Sequence, residues 1–257
     1  MSTDVMADGL DRPETVPAPI TPAQHRAAKW VGALYLIQMA LAVFGESFVR
    51  GRLIVRDAGQ TAVNIAGSET LFRLSIATDL LVYATVIGLV WGIYVILKPI
   101  NQDAALLGAF LRLVENAILA VTTLTAFIAL RLLGGATYLQ SFEPAELQAL
   151  ARLFLGVYGI GLSIGFVFLG FGSAVFSYVW LQSRYIPRAL AGWGIFASLV
   201  LATVSLATMI FPRVYAVLGM SYMMPMGIYE IGLGLWLLIK GLKAPSSTSQ
   251  PPSPQIL

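Results

Sequence analysis

The sequence predicts an all-α, polytopic integral membrane protein whose six transmembrane helices form one bundle. Three observations predict it. Hydrophobic residues make up 58% of the 257-residue chain and charged residues only 11%, against roughly 25% charge in an average soluble domain. The mean hydropathy is +0.80. The apolar residues also gather into six long runs, at 30–48, 70–97, 104–132, 146–182, 190–211 and 222–240. Each can cross a hydrocarbon layer about 30 Å thick with about 20 helical residues.

In chain order, residues 1–27 are rich in acids and prolines and hold no apolar run, which predicts a disordered N-terminal tail. The membrane domain then covers 28–243. Its first run contains Ala40-Leu41-Ala42, the spacing of a signal-peptidase site. The polar leader is too long for an ordinary n-region and the apolar run continues past that triplet, so a retained span is expected. Between the first two runs, Asp57 and Gln60 in DAGQTAVNIAGSE match a capping box and predict a short surface helix.

The third run carries AFLRLVENAIL, with three polar residues near its middle. Before the fourth, Pro144 suits the first turn of a helix, with Glu143 and Glu146 complementing its dipole. That fourth helix, at 1.5 Å per residue, would be about 55 Å long, so its first turns are expected to stand clear of the hydrocarbon. Its Gly156, Gly159, Gly161, Gly165, Gly170 and Gly172 form a small-residue surface. Such a surface lets a neighbouring helix backbone approach closely, and it also offers a docking face for a membrane-protein partner or a second copy of the chain. Pro225 marks the first turn or a bend of the sixth span. Residues 244–257, APSSTSQPPSPQIL, predict a second disordered tail.

Six crossings put both termini on one side. Arg12, Arg26, Lys29, Lys98, Arg184, Arg188, Lys240 and Lys243 lie on that side, and Arg50, Arg52, Arg56, Arg131, Arg152 and Arg213 on the other. Eight against six favours cytoplasmic termini. Trp30, Trp91, Trp180, Trp193, Tyr94, Tyr178 and Tyr185 fall near the helix ends of the same side, where amphipathic rings are usually found.

Several function classes are excluded. The net charge is +3, but the basic residues are scattered, so no nucleic-acid partner is expected. The chain has no cysteine, and its one histidine is His25, ahead of the first span. Haem ligation by paired histidines, histidine-bound metal and Ser-His catalysis within the membrane therefore lack their residues. Gly161-Leu162-Ser163-Ile164-Gly165 has nucleophile-elbow spacing but sits in an apolar helix with no base in reach. No cofactor, metal or catalytic residue is expected, and the reading leans away from an enzyme; an intramembrane enzyme acting on lipid stays open as a third class and would have to work with carboxylates, Arg and Tyr alone. The methionines around Ser221–Met224 read as interface packing.

What remains is the set of charges inside the spans. Arg112, Glu115 and Asn116 share one stripe of the third run, together with Leu119 and Thr122 or Thr123. Asp79 shares a face with Ser75 on the second span; Glu230 lies deep in the sixth; Glu46 and Arg73 lie near the outer boundary. Glu46 and Arg50 stand four apart in the favourable acid-first order. Each charge at a helix centre costs about 2.5–3.5 kcal/mol even on the lower scale, so it persists by pairing inside the bundle or by meeting water. Arg112, Glu115, Asn116, Glu230, Asp79, Arg73 and Glu46 are therefore the candidate site, a buried polar centre expected from the second, third and sixth spans. Two readings stay open: a pocket that binds or transports a small polar or cationic solute, coupled to protons through Glu115 or Glu230, and a set of ion pairs that only fixes helix packing.

The runs LIVRDAGQTAVNIAGSETLFRLSIATDLL, FLRLVENAIL, YLQSFEPAELQALARLFL, SRYIPRALAGWG and YEIGLGLWLLIKG resemble, in order and over about residues 28–243, a bacterial membrane family known as domain of unknown function 4386. The resemblance implies a six-span protein of the bacterial cell inner membrane and assigns no activity. Many relatives carry a histidine in the fourth span near the position of Gly172, so a role needing that imidazole does not carry over to this chain.

Overall fold

The computed structural model describes residues 19–243. The greater part of the predicted N-terminal tail and the whole predicted C-terminal tail lie outside the described residues. Six helices are long and apolar enough to cross a membrane. They are α1 (Pro22–Leu53), α3 (Glu69–Leu97), α4 (Gln102–Leu133), α5 (Pro144–Ser183), α6 (Arg188–Ile210) and α8 (Met224–Ile239), the last entered through a 3₁₀ turn at Ser221–Met223. Two shorter helices, α2 (Ala58–Gly67) and α7 (Pro212–Leu218), lie between spans.

The predicted elements form where their end signals stand. Asp57 accepts from the backbone N–H of Gln60 at 2.6 Å and starts α2. The Gln60 side chain does not return the bond; it donates to Asn64 at 2.8 Å, so the cap is one-sided. Pro144 opens α5, and the Glu143 N–H donates to Glu146 at 3.2 Å. Pro225 sits in the first turn of α8.

The first helix begins at Pro22, earlier than the predicted boundary at residue 28. Thr21 and Gln24 cap it reciprocally, and Gln24 Nε2 also donates to the Ile96 carbonyl of α3 at 3.0 Å. Those contacts draw residues read as tail into the bundle. The outer end of α1, Val43–Arg50, is wound as a π-helix.

Each span packs on the one before and the one after it, and α8 returns to α1, so the six close into a ring. Only 33–44% of the most apolar stretch of each span is buried. The outward side chains include Leu80, Ile87, Val121, Ile160 and Ile228, a belt far larger than the apolar patches that soluble monomers expose. Lipid tails are the partner such a belt fits.

Inside, two apolar layers are stacked along the axis. One, toward the end that carries both tails, contains Val31, Leu89, Ile93, Phe176, Trp180 and Leu237. The other, toward the long loops, contains Val49, Ile65, Phe72, Leu130 and Leu155. Trp180 and Tyr185, expected at the lipid interface, belong to the first layer: both are buried, whereas Trp30 and Trp91 are exposed. Part of the small-residue surface of α5 meets a neighbouring helix closely, as expected. A Cβ at Gly161 would strike the Thr122 side chain of α4, and one at Gly165 would come within 2.6 Å of Leu119. These glycines let α5 approach α4 of the same chain, while Gly156 and Gly159 face open space.

Candidate functional site

The embedded charges form two clusters. The outer one is built on Arg50 at the end of the π-helical segment. Its Nη1 donates to Glu46 at 2.6 Å and to Asp79 Oδ1 at 3.0 Å, and Nη2 donates to Asp79 Oδ2. The Tyr158 ring lies under the guanidinium, 4.7 Å from its centroid, with the hydroxyl 2.6 Å from Glu46 and 3.3 Å from Asp79. Thus α1, α3 and α5 are tied together by one guanidinium. Arg50 and Asp79 are buried, while the Glu46 side chain keeps 27% of its surface exposed.

Glu46 also lines a partly open cavity of about 110 Å³ between α1 and α5, with Met220 and Tyr222 among its lining residues. Its polar wall is Glu46, Arg50, Tyr158 and Ser163; Leu162 and Phe166 supply the apolar wall. The space is partly open to the surroundings and has room for water or a small solute.

The deeper cluster joins α1, α4 and α8. Arg112 Nη1 lies 2.9 Å from Glu115 Oε2, one turn along the same helix. The N–H does not point along that line, so both atoms are without a hydrogen bond among the described residues although their charges are paired. Gln38 Nε2 donates to Glu230 Oε2 at 3.3 Å. Asn116 Nδ2 donates to the Tyr83 carbonyl at 3.0 Å, and the Tyr83 hydroxyl is 3.1 Å from Thr123 Oγ1. Tyr83 sits one turn along α3 from Asp79, so hydrogen-bonding groups lead from one cluster toward the other. The Arg112 stem lies over Gly172, where a Cβ would come 2.9 Å from its Cγ and 3.2 Å from its backbone nitrogen. The position at which many relatives are expected to carry histidine is closed here by that stem.

The structure thus brings Arg112, Glu115 and Glu230 into one neighbourhood, and Glu46 and Asp79 into another. Arg73 belongs to neither: it pairs with Glu69 at 2.7 Å on the surface, with 49% of its side chain exposed. The expected centre of second, third and sixth spans is also corrected, because α1 contributes to both clusters and α5 to the outer one. Arg50 had a signal, its spacing from Glu46. Tyr158 and Gln38 had none, being single polar residues in apolar or glycine-rich stretches.

A family model described as Domain of unknown function (DUF4386) matches residues 30–241, which reaches all six spans and takes in both clusters. The chain belongs to this family. No curated protein and no solved structure matches it. The DUF4386 description names no activity, so the chemistry of this member rests on its own groups. The outer cluster sets two carboxylates against one guanidinium beside a small cavity, and can hold a cation or hydrogen-bond a polar molecule. Among the described residues no three His, Cys, Asp or Glu side chains are grouped to hold a metal.

Proposed function

We propose that this DUF4386 protein binds, and carries across the bilayer, a small polar or cationic solute that enters at the cavity beside Glu46. The observation that carries the reading is the cavity of about 110 Å³ whose polar wall is the partly exposed Glu46 with Arg50 and Tyr158. Two acids on one base leave excess negative potential there, which attracts cations. The distribution of Lys and Arg favours a cytoplasmic side for both termini, which puts the cavity on the outer face of a bacterial inner membrane.

The full-length protein, purified in detergent, tests this by calorimetric titration with ammonium, methylammonium and guanidinium salts. At least one ion is expected to bind. Glu46→Gln should weaken that binding tenfold or more, about 1.4 kcal/mol, and Ser163→Leu should abolish it by filling the space. Absence of binding by all three ions, or equal binding by wild type and both variants, overturns the reading. A structural reading has its own support, because Arg50 ties three helices. On that reading both variants alter stability and no ion binds.

A further inference from the structure

The deep cluster contains an unbalanced charge and an unfilled acceptor at the same place. Arg112 has two acids within electrostatic reach, Glu115 and Glu230. The guanidinium is paired with Glu115, 2.9 Å away. Among the described residues, the one hydrogen bond to Glu230 comes from Gln38. All four side chains are buried, with Glu230 8% and Gln38 5% exposed. The other groups facing Glu230 are neutral: Tyr35 from α1 and Tyr229 from its own helix, the latter 2.9 Å from Ser177 of α5. The only titratable residue of α6 is Arg188, at its far end. Among the described residues nothing else supplies the missing positive charge, and a lone ionised carboxylate inside a membrane bundle is costly.

We propose that Glu230 is a binding site for one exchangeable proton, held against the side-chain amide of Gln38. In the arrangement described, Gln38 Nε2 donates to the carboxylate and Gln38 Oε1 has no partner among the described residues. Turning the amide over brings Oε1 to Glu230, where it accepts the O–H of the carboxylic acid. One side chain thereby satisfies both protonation states. On release, the O–H bond of Glu230 breaks, its electron pair stays on the carboxylate oxygen, and the proton passes to water or a neighbouring oxygen. Asn116, Tyr83 and Thr123 supply hydrogen-bonding groups between this cluster and Asp79. The deep cluster shares no residue with the cavity, so the inference stands apart from solute binding.

Infrared difference spectroscopy on the full-length protein at neutral pH tests it. Wild type minus Glu230→Gln should show the carbonyl band of a protonated carboxylic acid, shifted by D2O. Glu115→Gln should also lose that band, because Arg112 is then left with Glu230 alone. Arg112→Met should about double it, because both acids lose their cation. Gln38→Leu should move it to the higher frequency of an acid without a hydrogen bond. If Glu230→Gln does not fold, Glu115→Gln decides alone, with a retained band counting against the proposal. Absence of a neutral-acid band in the Glu230→Gln difference overturns the proton site, and an unmoved band in Gln38→Leu overturns the role of the amide.

Discussion

Replacing Arg50 by Met is expected to lower the unfolding free energy by about 3–5 kcal/mol, the usual cost of removing one partner from a buried ion pair. Met keeps much of the stem's volume, so the loss is one of charge. Asp79 would lose its bidentate partner, and Glu46 would lose the hydrogen bond of 2.6 Å. The Tyr158 ring, 4.7 Å from the guanidinium carbon, would lose its cation as well. Denaturant titration in mixed micelles measures the change. Adding Asp79→Asn to Arg50→Met should recover part of the stability, because the amide removes the stranded buried charge, whereas Asp79→Asn alone should destabilise. A change below about 1 kcal/mol for Arg50→Met would place this cluster among solvated surface pairs and remove the argument that it ties α1, α3 and α5.

Most of the architecture was legible in the sequence because hydrocarbon imposes a length and polarity rule on each span, and end signals such as Asp57 and Pro144 mark where helices start. Position along each helix also fixes the order of its charges along the bundle axis. Which charges meet was not legible, because pairing depends on how each helix is rotated and on who its neighbours are. Arg73 shows the part that angular reasoning recovers. Six residues from Asp79 at 100° each, it points about 120° away from that side chain, toward the surface. The π-helical winding at Val43–Arg50 shows the part it does not recover. That winding changes which residues of α1 face α3 and α5, and nothing in VFGESFVR announces it. Tyr158 and Gln38 were hidden for a simpler reason. Each is one polar residue whose partners are 79 and 192 positions away, and only the closed ring brings them together.

That ring gives the second large effect. Gly32→Ala and Gly170→Ala are each expected to destabilise the bundle by about 1–3 kcal/mol, the cost of overpacking a tight contact. A Cβ at Gly32 would lie 2.7 Å from the Gly234 carbonyl and 2.7 Å from the Leu238 nitrogen, and one at Gly170 would lie 2.6 Å from the Ser198 carbonyl. These obstacles are backbone, so whole helices must separate. Gly156→Ala and Gly159→Ala meet nothing within 4 Å, and should be neutral or stabilising by up to about 1 kcal/mol through helix propensity. Opposite signs from one chemical change on the same unfolding titration would locate the close contacts; equal effects at all four positions would refute them. Gly32 also bears on the proton site, because it sets the spacing of α1 from α8, across which Gln38 reaches Glu230 at 3.3 Å. Gly32→Ala should therefore move the Glu230 carbonyl band in the direction of Gln38→Leu, linking the closure of the ring to the state of its buried acid.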